Sequence, residues 1–388
     1  MLPIIYIYST LPSGFTTNGL GFVKDCISCV CTEERNGEYE LKLEIHNYDR
    51  LIDYVIPGNF IKIKPNANDD TQIFEIYNVQ TTEKSRLASA QHVKYFLNNN
   101  LIEAPWSVPS NSNGFTPLET WNNVVSLLEY ENYFNFSSNI TTIGKVTAAK
   151  NRPVKLGDFI QGARGSMLDI FGGELYFDNF NVQLNSRRGI DRDIVLKYGS
   201  AISTVEQEAD NQTVYSHLLP YASFFTIEYE TGKYIGETLV YADIISLNNP
   251  VQLTYQKCLA YDFSEDVSDY NQPLVKYATV GGFENWDECV EKLAAVAQRY
   301  ISNNHNALTF TSNNIKIDVE PALKILQDCN LCDTVKIDYK PLNIQVRAKI
   351  VKTQYDCINE RYTSLELGQI KNDFSRKMSS IFKNIGGA

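Results

Sequence analysis

Residues 25–45 read DCISCVCTEERNGEYELKLEI, and their pattern predicts an antiparallel β-hairpin. From Tyr39 to Ile45 every second residue is apolar and the residues between them are charged, which is typical of a strand with one buried face. The preceding dipeptide, Asn36-Gly37, is a strong signal for a tight hairpin turn. We therefore expect the chain to open with a β-rich domain.

The first hundred residues continue in the same manner. Residues 60–64 (FIKIK) and 73–79 (IFEIYNV) are further predicted strands, and a short helix is predicted around 86–97. Several short strands separated by turns favour a small barrel. We expect residues 1–100 to form a first β-barrel.

The next hundred residues, 101–200, mix helix and strand signals. Residues 116–119 (TPLE) form a capping box with proline at the first helical position. A second helical stretch is predicted near 156–170, and strands return at 174–184 and 193–198. These signals predict a mixed α/β module.

The remainder is mostly strand, with one amphipathic helix at about 286–302. Cys289 lies on the apolar stripe of that helix, so core packing is its expected role. The predicted division of the remainder is a second β-barrel from 201–260 and 308–370, an inserted helical module at 261–307, and a C-terminal tail or helix at 371–388. The fold class is thus α+β but mostly β.

A sequence similarity within the chain supports the expectation of two similar barrels. Residues 57–64 (PGNFIKIK) and 74–79 (FEIYNV) resemble 331–338 (LCDTVKID) and 347–352 (RAKIVK). Each pair is a turn, an alternating strand, a polar loop and a second alternating strand. Many hairpins share this pattern.

Composition excludes several classes of function. The 388 residues include 35 Lys and Arg against 46 Asp and Glu, and the resulting net charge of −11 argues against stable binding of nucleic acid. No apolar run reaches the roughly 18 residues of a membrane helix. The start, MLPIIYIYST, lacks a basic region before its apolar stretch and is a poor signal peptide. We interpret it as the N-terminal strand of a protein made in the cytoplasm, so its eight cysteines should be reduced thiols.

Two cysteine clusters raise the question of a metal or redox centre. Cys29 and Cys31 should share one face of a strand while Cys26 lies on the other, and a CxxC follows at Cys329 and Cys332. A structural zinc site usually takes its two cysteine pairs from within a few tens of residues, whereas these lie about 300 apart. We predict strand thiols without a metal.

No enzyme signature is present. The four histidines form none of the HxH or HExxH patterns of a zinc hydrolase; they are His46, His92, His217 and His305. A nucleophilic pair of Cys26 and His217 can be assembled on paper, as any eight cysteines and four histidines would allow. Paired carboxylates flanked by turn residues are expected to be solvated loop charges; they are Glu33/Glu34, Asp69/Asp70, Asp191/Asp193, Glu206/Glu208/Asp210 and Glu265/Asp266. We therefore expect no catalytic, cofactor-binding or metal-binding residues and no cofactor.

The most distinctive segments point to a known family. Residues 355–368 (YDCINERYTSLELG) resemble the closing signature of the N-terminal structural region of phage tail-associated lysins, also called prophage tail endopeptidases. Residues 25–45, 172–203 and 331–356 resemble further segments of that family in the same order. Together they span the chain from about 15 to 368.

This resemblance implies the fold of a baseplate hub at the tip of a phage tail. In that family two small β-barrels of each subunit lie near the tail tube, so that a homotrimer presents six barrels to a sixfold tube. Longer members carry a peptidoglycan hydrolase after this region, whereas this chain ends about twenty residues past Gly368. The family often has glycine where Cys332 stands, which makes Cys332 a turn residue and the downstream CxxC accidental.

Three functions remain open at this point. The favoured one is a non-enzymatic, trimeric hub in the virion, assembled in the host cytoplasm. Its partners would be a distal-tail or tube ring, the tape measure protein, and a spike, fibre or separate lysin, with DNA as passing cargo and no stable membrane binding. The alternatives are a tail lysin that degrades peptidoglycan and, given the 43 Phe and Tyr residues, a carbohydrate-binding β-protein.

Overall fold

The computed structural model describes most of the chain. The described residues are 4–9, 16–103, 106, 114–128, 130–149, 153–162, 165–197, 202–210, 214–248, 255–267, 275–277, 286–309, 312–319, 328–340 and 344–368. The predicted C-terminal tail at 371–388 lies outside them. The chain divides into unit 1, formed by Met1–Trp106, Asn113–Gln207 and Asn314–Ala388, and unit 2, formed by Ser107–Ser112 and Glu208–Asn313.

The structure is mostly β, as the sequence predicts. The strands are β1 (Tyr6–Tyr8), β2 (Gly21–Phe22), β3 (Cys26–Glu34), β4 (Tyr39–His46), β5 (Phe60–Ile63), β6 (Gln72–Thr81), β7 (Ser85–His92), β8 (Leu101–Ile102), β9 (Asn135–Ser138), β10 (Val154–Lys155), β11 (Glu174–Asp178), β12 (Asn181–Asn185), β13 (Asp191–Lys197), β14 (Ile202–Asp210), β15 (His217–Ile227), β16 (Tyr234–Tyr241), β17 (Ile245–Ser246), β18 (Cys258–Asp262), β19 (Val275–Tyr277), β20 (Ser312–Val319), β21 (Thr334–Tyr339), β22 (Ile344–Asp356) and β23 (Arg361–Gly368). The helices are α1 (Pro117–Val125), α2 (Leu156–Ile160), α3 (Met167–Phe171), α4 (Ser264–Val267), α5 (Trp286–Thr309) and two 3₁₀ helices, Ile52–Tyr54 and Val93–Asn99.

The hairpin predicted at the start of the chain is confirmed. Strands β3 and β4 pair antiparallel, and the turn between them places Asn36 at a φ of 54°. The apolar residues of β4 from Tyr39 to Ile45 are buried, and the charged residues between them are not. Alternation therefore fixes which face of this hairpin enters the core.

The main sheet contains the same order of six strands twice. One set is β1-β5-β6-β7-β4-β3 and the other is β13-β21-β22-β23-β20-β14. Counted along the chain, each set places its first, fourth, fifth, sixth, third and second strands side by side. We call these sets repeat 1 and repeat 2. One orientation differs, because β1 runs antiparallel to β5 whereas β13 runs parallel to β21.

The correspondence extends to the register of the strands. Residues 41–44 (LKLE) pair with β7 in the same way as 315–318 (IKID) pair with β23. The similarity between residues 57–79 and 331–352 thus belongs to a longer internal repeat. Pairing of β3 with β22 joins the two repeats into one sheet, and β2, which pairs with β1, is its thirteenth strand. The buried side chains of the two repeats form one core cluster.

Cys332 occupies the position in repeat 2 that Gly58 occupies in repeat 1. The Gly58 N–H donates to the Ile76 carbonyl over 2.8 Å, and the Cys332 N–H donates to the Ile350 carbonyl over 2.9 Å. Both residues have positive φ, 89° for Gly58 and 73° for Cys332, in the region that favours glycine. The downstream CxxC is therefore part of a turn, as predicted.

Two predicted helices differ from the structure. Residues 86–92 of the helix predicted at 86–97 lie instead in strand β7, and only the 3₁₀ helix Val93–Asn99 follows. The predicted helix at 156–170 is divided into α2 and α3, between which Gly162 and Gly165 adopt positive φ. The capping box at the start of α1 is confirmed: the Glu119 N–H donates to the Thr116 hydroxyl.

Unit 2 is built around a separate sheet. Strand β15 lies in its centre and pairs with β16 and β17 along one edge and with β18 and β19 along the other. Its core contains Cys289, Leu293 and Ala297 of α5, which confirms the packing role predicted for Cys289. No helix in the described ranges is long and apolar enough to cross a membrane.

The strand pairing differs from the predicted division of the chain in two places. Strands β15 to β17, within the 201–260 span expected in the second barrel, belong to the sheet of unit 2. Strand β13, expected in the mixed module, pairs with β21 in the main sheet. Alternation identifies strands but does not say which strands pair, and this explains both differences.

Substitution at Gly58 will test the turn that both repeats share. A side chain added at Gly58 meets no atom within 4 Å, so the cost of Gly58→Ala is backbone strain alone. We expect it to lower the free energy of unfolding by about 1 kcal/mol in urea titrations. Gly58→Asn is the matched control and should lose less, because asparagine tolerates this region of φ. Equal losses would show that positive φ is not the constraint.

Candidate functional site: a buried polar network around Glu174 and Arg188

Cys29 and Cys31 lie on the buried face of β3, as predicted, but the position predicted for Cys26 is wrong. Cys26 packs against the same core, because a register shift between Cys26 and Ser28 moves it to the other face. The Cys357 N–H donates to the Cys29 carbonyl over 2.8 Å, so these two buried cysteines are neighbours.

These thiols are poorly suited to chemistry. Burial raises the pKa of Cys26, Cys329 and Cys332 to about 12. Interaction with the Cys357 thiol together with burial raises the pKa of Cys29 well above its usual value. A thiol must ionise to attack a substrate or bind a metal. Among the residues that the structure describes, no group of three or more His, Cys, Asp or Glu side chains is arranged to hold a metal ion.

The histidines have structural surroundings. His92 is fully buried, stacks on Tyr39 at 4.4 Å between ring centroids, and lies 3.0 Å from the Gln72 amide oxygen through Nε2. Burial lowers the pKa of His92, so it is neutral. His46 stacks on Tyr48, and His217 contacts the Ser216 hydroxyl. Cys26 and His217, which the sequence would allow as a nucleophilic pair, belong to different units: Cys26 to unit 1 and His217 to unit 2.

Two of the carboxylates predicted to be solvated are instead part of a buried polar network. Glu33 is 6% exposed, and its Oε1 lies 2.7 Å from the guanidinium of Arg188. Asp69 lies 3.9 Å from the same guanidinium and accepts the Tyr176 hydroxyl over 3.2 Å. The remaining pairs include ordinary surface contacts, such as Asp191 with Arg187.

Arg188 lies at the centre of this network. Its guanidinium stacks over the Tyr176 ring at 4.6 Å from the centroid while it bonds Glu33. Burial acts to lower the pKa of Arg188, but the charges of Glu33 and Asp69 outweigh it and raise that pKa. Arg188 therefore remains charged, and its ion pair with Glu33 links the segment after β12 to repeat 1.

Glu174 connects the two repeats. Its carboxylate accepts from Lys349 in β22 and lies 3.6 Å from Arg35, which follows β3. It also accepts the Arg188 backbone N–H over 2.7 Å. Burial acts to raise the pKa of Glu174, but the hydrogen bonds from Lys349 and Arg188 outweigh it and lower that pKa. One buried carboxylate thus binds cations from both repeats.

The chain between β12 and β13 packs tightly against the Cys332 turn. A Cβ added at Gly189 would lie 2.1 Å from the carbonyl carbon of Cys332, so only glycine fits there. Asp333 in that turn accepts from the Ile190 N–H over 2.7 Å and from Arg192 over 2.9 Å. This arrangement can hold three parts of the chain together, and its charged groups already have protein partners.

The network brings together three segments that resemble the family, namely residues 25–45, 172–203 and 331–356. The first contributes Glu33 and Arg35, the second Glu174 and Arg188, and the third Asp333 and Lys349. Residue patterns had indicated no role for Glu174 or Arg188. The resemblance of their segments to a known family was the one signal that could have found them.

Comparison with known proteins identifies a family that is similar to part of the chain. Residues 190–378 match the family model described as prophage endopeptidase tail. This match covers just under half of the chain, and over these residues the chain is similar to the prophage endopeptidase tail family. The resemblance predicted from the sequence is thereby confirmed. No curated protein matches the chain significantly in sequence.

Solved prophage tail proteins share the fold over nearly the whole chain. They include tail protein gp18 from Listeria monocytogenes EGD-e (14% identity, TM-score 0.54, 99% of this chain and 100% of that chain). The 43 kDa tail protein of prophage MuSo2 from Shewanella oneidensis is similar (11%, 0.51, 95% and 98%). So is a tail protein from Neisseria meningitidis MC58 (10%, 0.50, 96% and 97%). At these identities the similarity establishes the fold.

Thiol labelling will test the environment of the cysteines. We expect N-ethylmaleimide to modify the exposed Cys258 first in the native protein, because the buried thiols lack both access and ionisation. Mass spectrometry should find the buried cysteines unmodified until urea is added; they are Cys29, Cys31, Cys289, Cys329, Cys332 and Cys357. Rapid native modification of Cys329 or Cys332 would contradict this account.

Replacement of Glu174 will test the network. Glu174→Gln leaves Lys349 and Arg35 without their buried counter-charge and should cost about 3 kcal/mol of unfolding free energy in urea titrations. The control is Glu34→Gln, whose side chain is 45% exposed and pairs with Lys352; it should cost below about 1 kcal/mol.

The same variant has a predicted dependence on pH. Because the folded pKa of Glu174 is lowered, its contribution is present above the ordinary carboxyl pKa and is lost as the pH falls through the folded value. The difference between wild type and Glu174→Gln should therefore shrink as the pH is lowered from neutral to values below the ordinary carboxyl pKa of about 4.3. A constant difference across that range would mean that the charge of Glu174 is not what stabilises the fold.

Proposed function

We propose that this chain is the structural hub of a phage or phage-derived tail tip, that it acts as a homotrimer, and that each six-stranded repeat curves into a small β-barrel. The observation that carries the proposal is the strand order that occurs twice in unit 1. Three chains with two similar repeats each present six similar bodies, which suits the junction between a sixfold tube and a threefold tip. The prophage tail family and fold support the same location.

The proposed partners follow from that position. A distal-tail or tail-tube ring lies on one side, and a spike, fibre or separate lysin lies on the other. The tape measure protein and DNA pass through a channel on the trimer axis, and the protein is part of the virion after assembly in the host cytoplasm. The net charge of −11 is consistent with an acidic lumen that repels passing DNA.

A structural role without catalysis fits the polar groups of the described residues. The buried carboxylates Glu33, Glu174 and Asp333 are each bonded to a cation of unit 1, which suits a clamp better than general acid–base chemistry. The alternative is a tail-associated peptidoglycan hydrolase, which the word endopeptidase in the family description favours.

Mass measurement and electron microscopy test the hub. Mass photometry of the full chain should show a species of three times 44.1 kDa, and antibodies against the chain should label the tail tip in particles. Labelling elsewhere on the particle, or a different closed oligomer at the tip, would contradict the proposal.

Zymography on host peptidoglycan separates the hub from the hydrolase. We expect no clearing by the full chain at a concentration where a lysozyme control clears the gel. Clearing that persists in two independent preparations would favour the hydrolase and overturn the non-enzymatic role.

A further inference from the structure

Strand β6 has an edge that is used over only half its length. Residues 72–75 pair with β5, and the Ile76 N–H still donates to the Asn59 carbonyl over 2.8 Å. Beyond that point, no strand of the described chain pairs with this edge. Tyr77, Asn78, Gln80 and Thr81 are exposed. An exposed strand edge offers unpaired N–H and carbonyl groups to another strand.

The equivalent strand of repeat 2, β22, has the same edge fully occupied. Its residues 344–349 pair with β21, and residues 352–356 pair antiparallel with β3. The Arg35 N–H donates to the Val351 carbonyl and the Cys357 N–H to the Cys29 carbonyl, each over 2.8 Å. The second half of β22 thus receives the second strand of repeat 1.

The two strands correspond residue by residue up to this edge. The Ile350 N–H donates to the Asp333 carbonyl over 2.8 Å, as the Ile76 N–H does to that of Asn59. Immediately afterwards both strands shift register against the next strand, β6 between Ile76 and Asn78 and β22 between Ile350 and Lys352. Residues 78–81 of β6 are therefore the counterparts of 352–355, with their partner strand missing from the described chain.

The counterpart of β3 in repeat 2 is β14, and it lies at the end of the main sheet. Both strands contain nine residues, Cys26–Glu34 and Ile202–Asp210. In the described part of the sheet β14 has a single neighbour, β20, whereas β3 lies between β4 and β22. In the described part of each chain, the second half of β6 thus has one unpaired edge, and β14, the counterpart of the strand that pairs with this edge in repeat 2, lies at the end of the sheet.

We propose that β14 of one copy of this chain pairs antiparallel with the second half of β6 in a second copy. The contact would repeat between chains the junction that β3 and β22 form within one. It is a head-to-tail contact, so it generates a ring when the rotation closes. The inference rests on the proposed trimer and names the backbone surface that builds it.

The register of the internal junction predicts which residues meet. Gln354 lies opposite Thr32 there. Gln80 is the counterpart of Gln354, and Glu208 is the seventh residue of β14 as Thr32 is of β3. This is a pair without direct backbone bonds, the arrangement in which opposed side chains are closest and two cysteines can be bridged.

Disulfide cross-linking of the full chain tests the pairing. In a Cys258→Ser background, Gln80→Cys chains are mixed with Glu208→Cys chains and oxidised with diamide. Non-reducing gels should show a two-chain species in the mixture and none in either variant alone. The matched control replaces Glu208→Cys with Gln207→Cys. A slip of one residue turns the side chain to the other face of the sheet, so the yield should fall at least tenfold.

The double variant Gln80→Cys/Glu208→Cys separates this inference from the proposed function. A ladder that ends at three chains is the expected result. A ladder that continues past three would support the strand pairing and contradict the trimer. A native trimer by mass photometry with no cross-link, or with equal cross-linking through Gln207→Cys and Glu208→Cys, would overturn the pairing and leave the hub in place.

Discussion

The structure of unit 1 depends on a buried carboxylate that must be neutralised. Glu174 lies where Lys349 of repeat 2, Arg35 of repeat 1 and the backbone of Arg188 converge, and each of these groups removes part of the cost of burying its charge. Because these three groups come from distant parts of the sequence, they meet the Glu174 carboxylate together only in this arrangement. Hydrophobic burial holds the sheet together, and the charge of Glu174 restricts how its parts meet.

The repeated strand order explains why two segments that differ at the turn residue itself form similar turns. Gly58 and Cys332 share a hydrogen bond and a positive φ, although one is glycine and the other a buried thiol. Packing around the side chain of Cys332 offsets the strain that glycine avoids. The turn is therefore conserved in shape between repeats while its chemistry differs.

The sequence was informative where local patterns decide the structure. The alternation from Tyr39 to Ile45 and the Asn36-Gly37 turn predicted a hairpin that the structure confirms. Partner choice could not be read in the same way, since β15 alternates as β4 does but belongs to another sheet. The bulge that moves Cys26 and the burial of Glu33 beside Arg188 depend on contacts more than 15 residues away in the chain.

The place where unit 2 enters the chain also follows from the repeat. In repeat 1, strands β3 and β4 are joined by the tight turn at Asn36-Gly37, whereas the equivalent strands β14 and β20 are separated by residues 211–311, which belong to unit 2. These strands are sheet neighbours, so the insertion leaves and returns at adjacent points. Loop-closure entropy grows slowly with length, and a hairpin tip of this kind accepts a guest domain at little cost to its host. The insertion therefore gives repeat 2 additional chain while the paired strands of both repeats keep the same order.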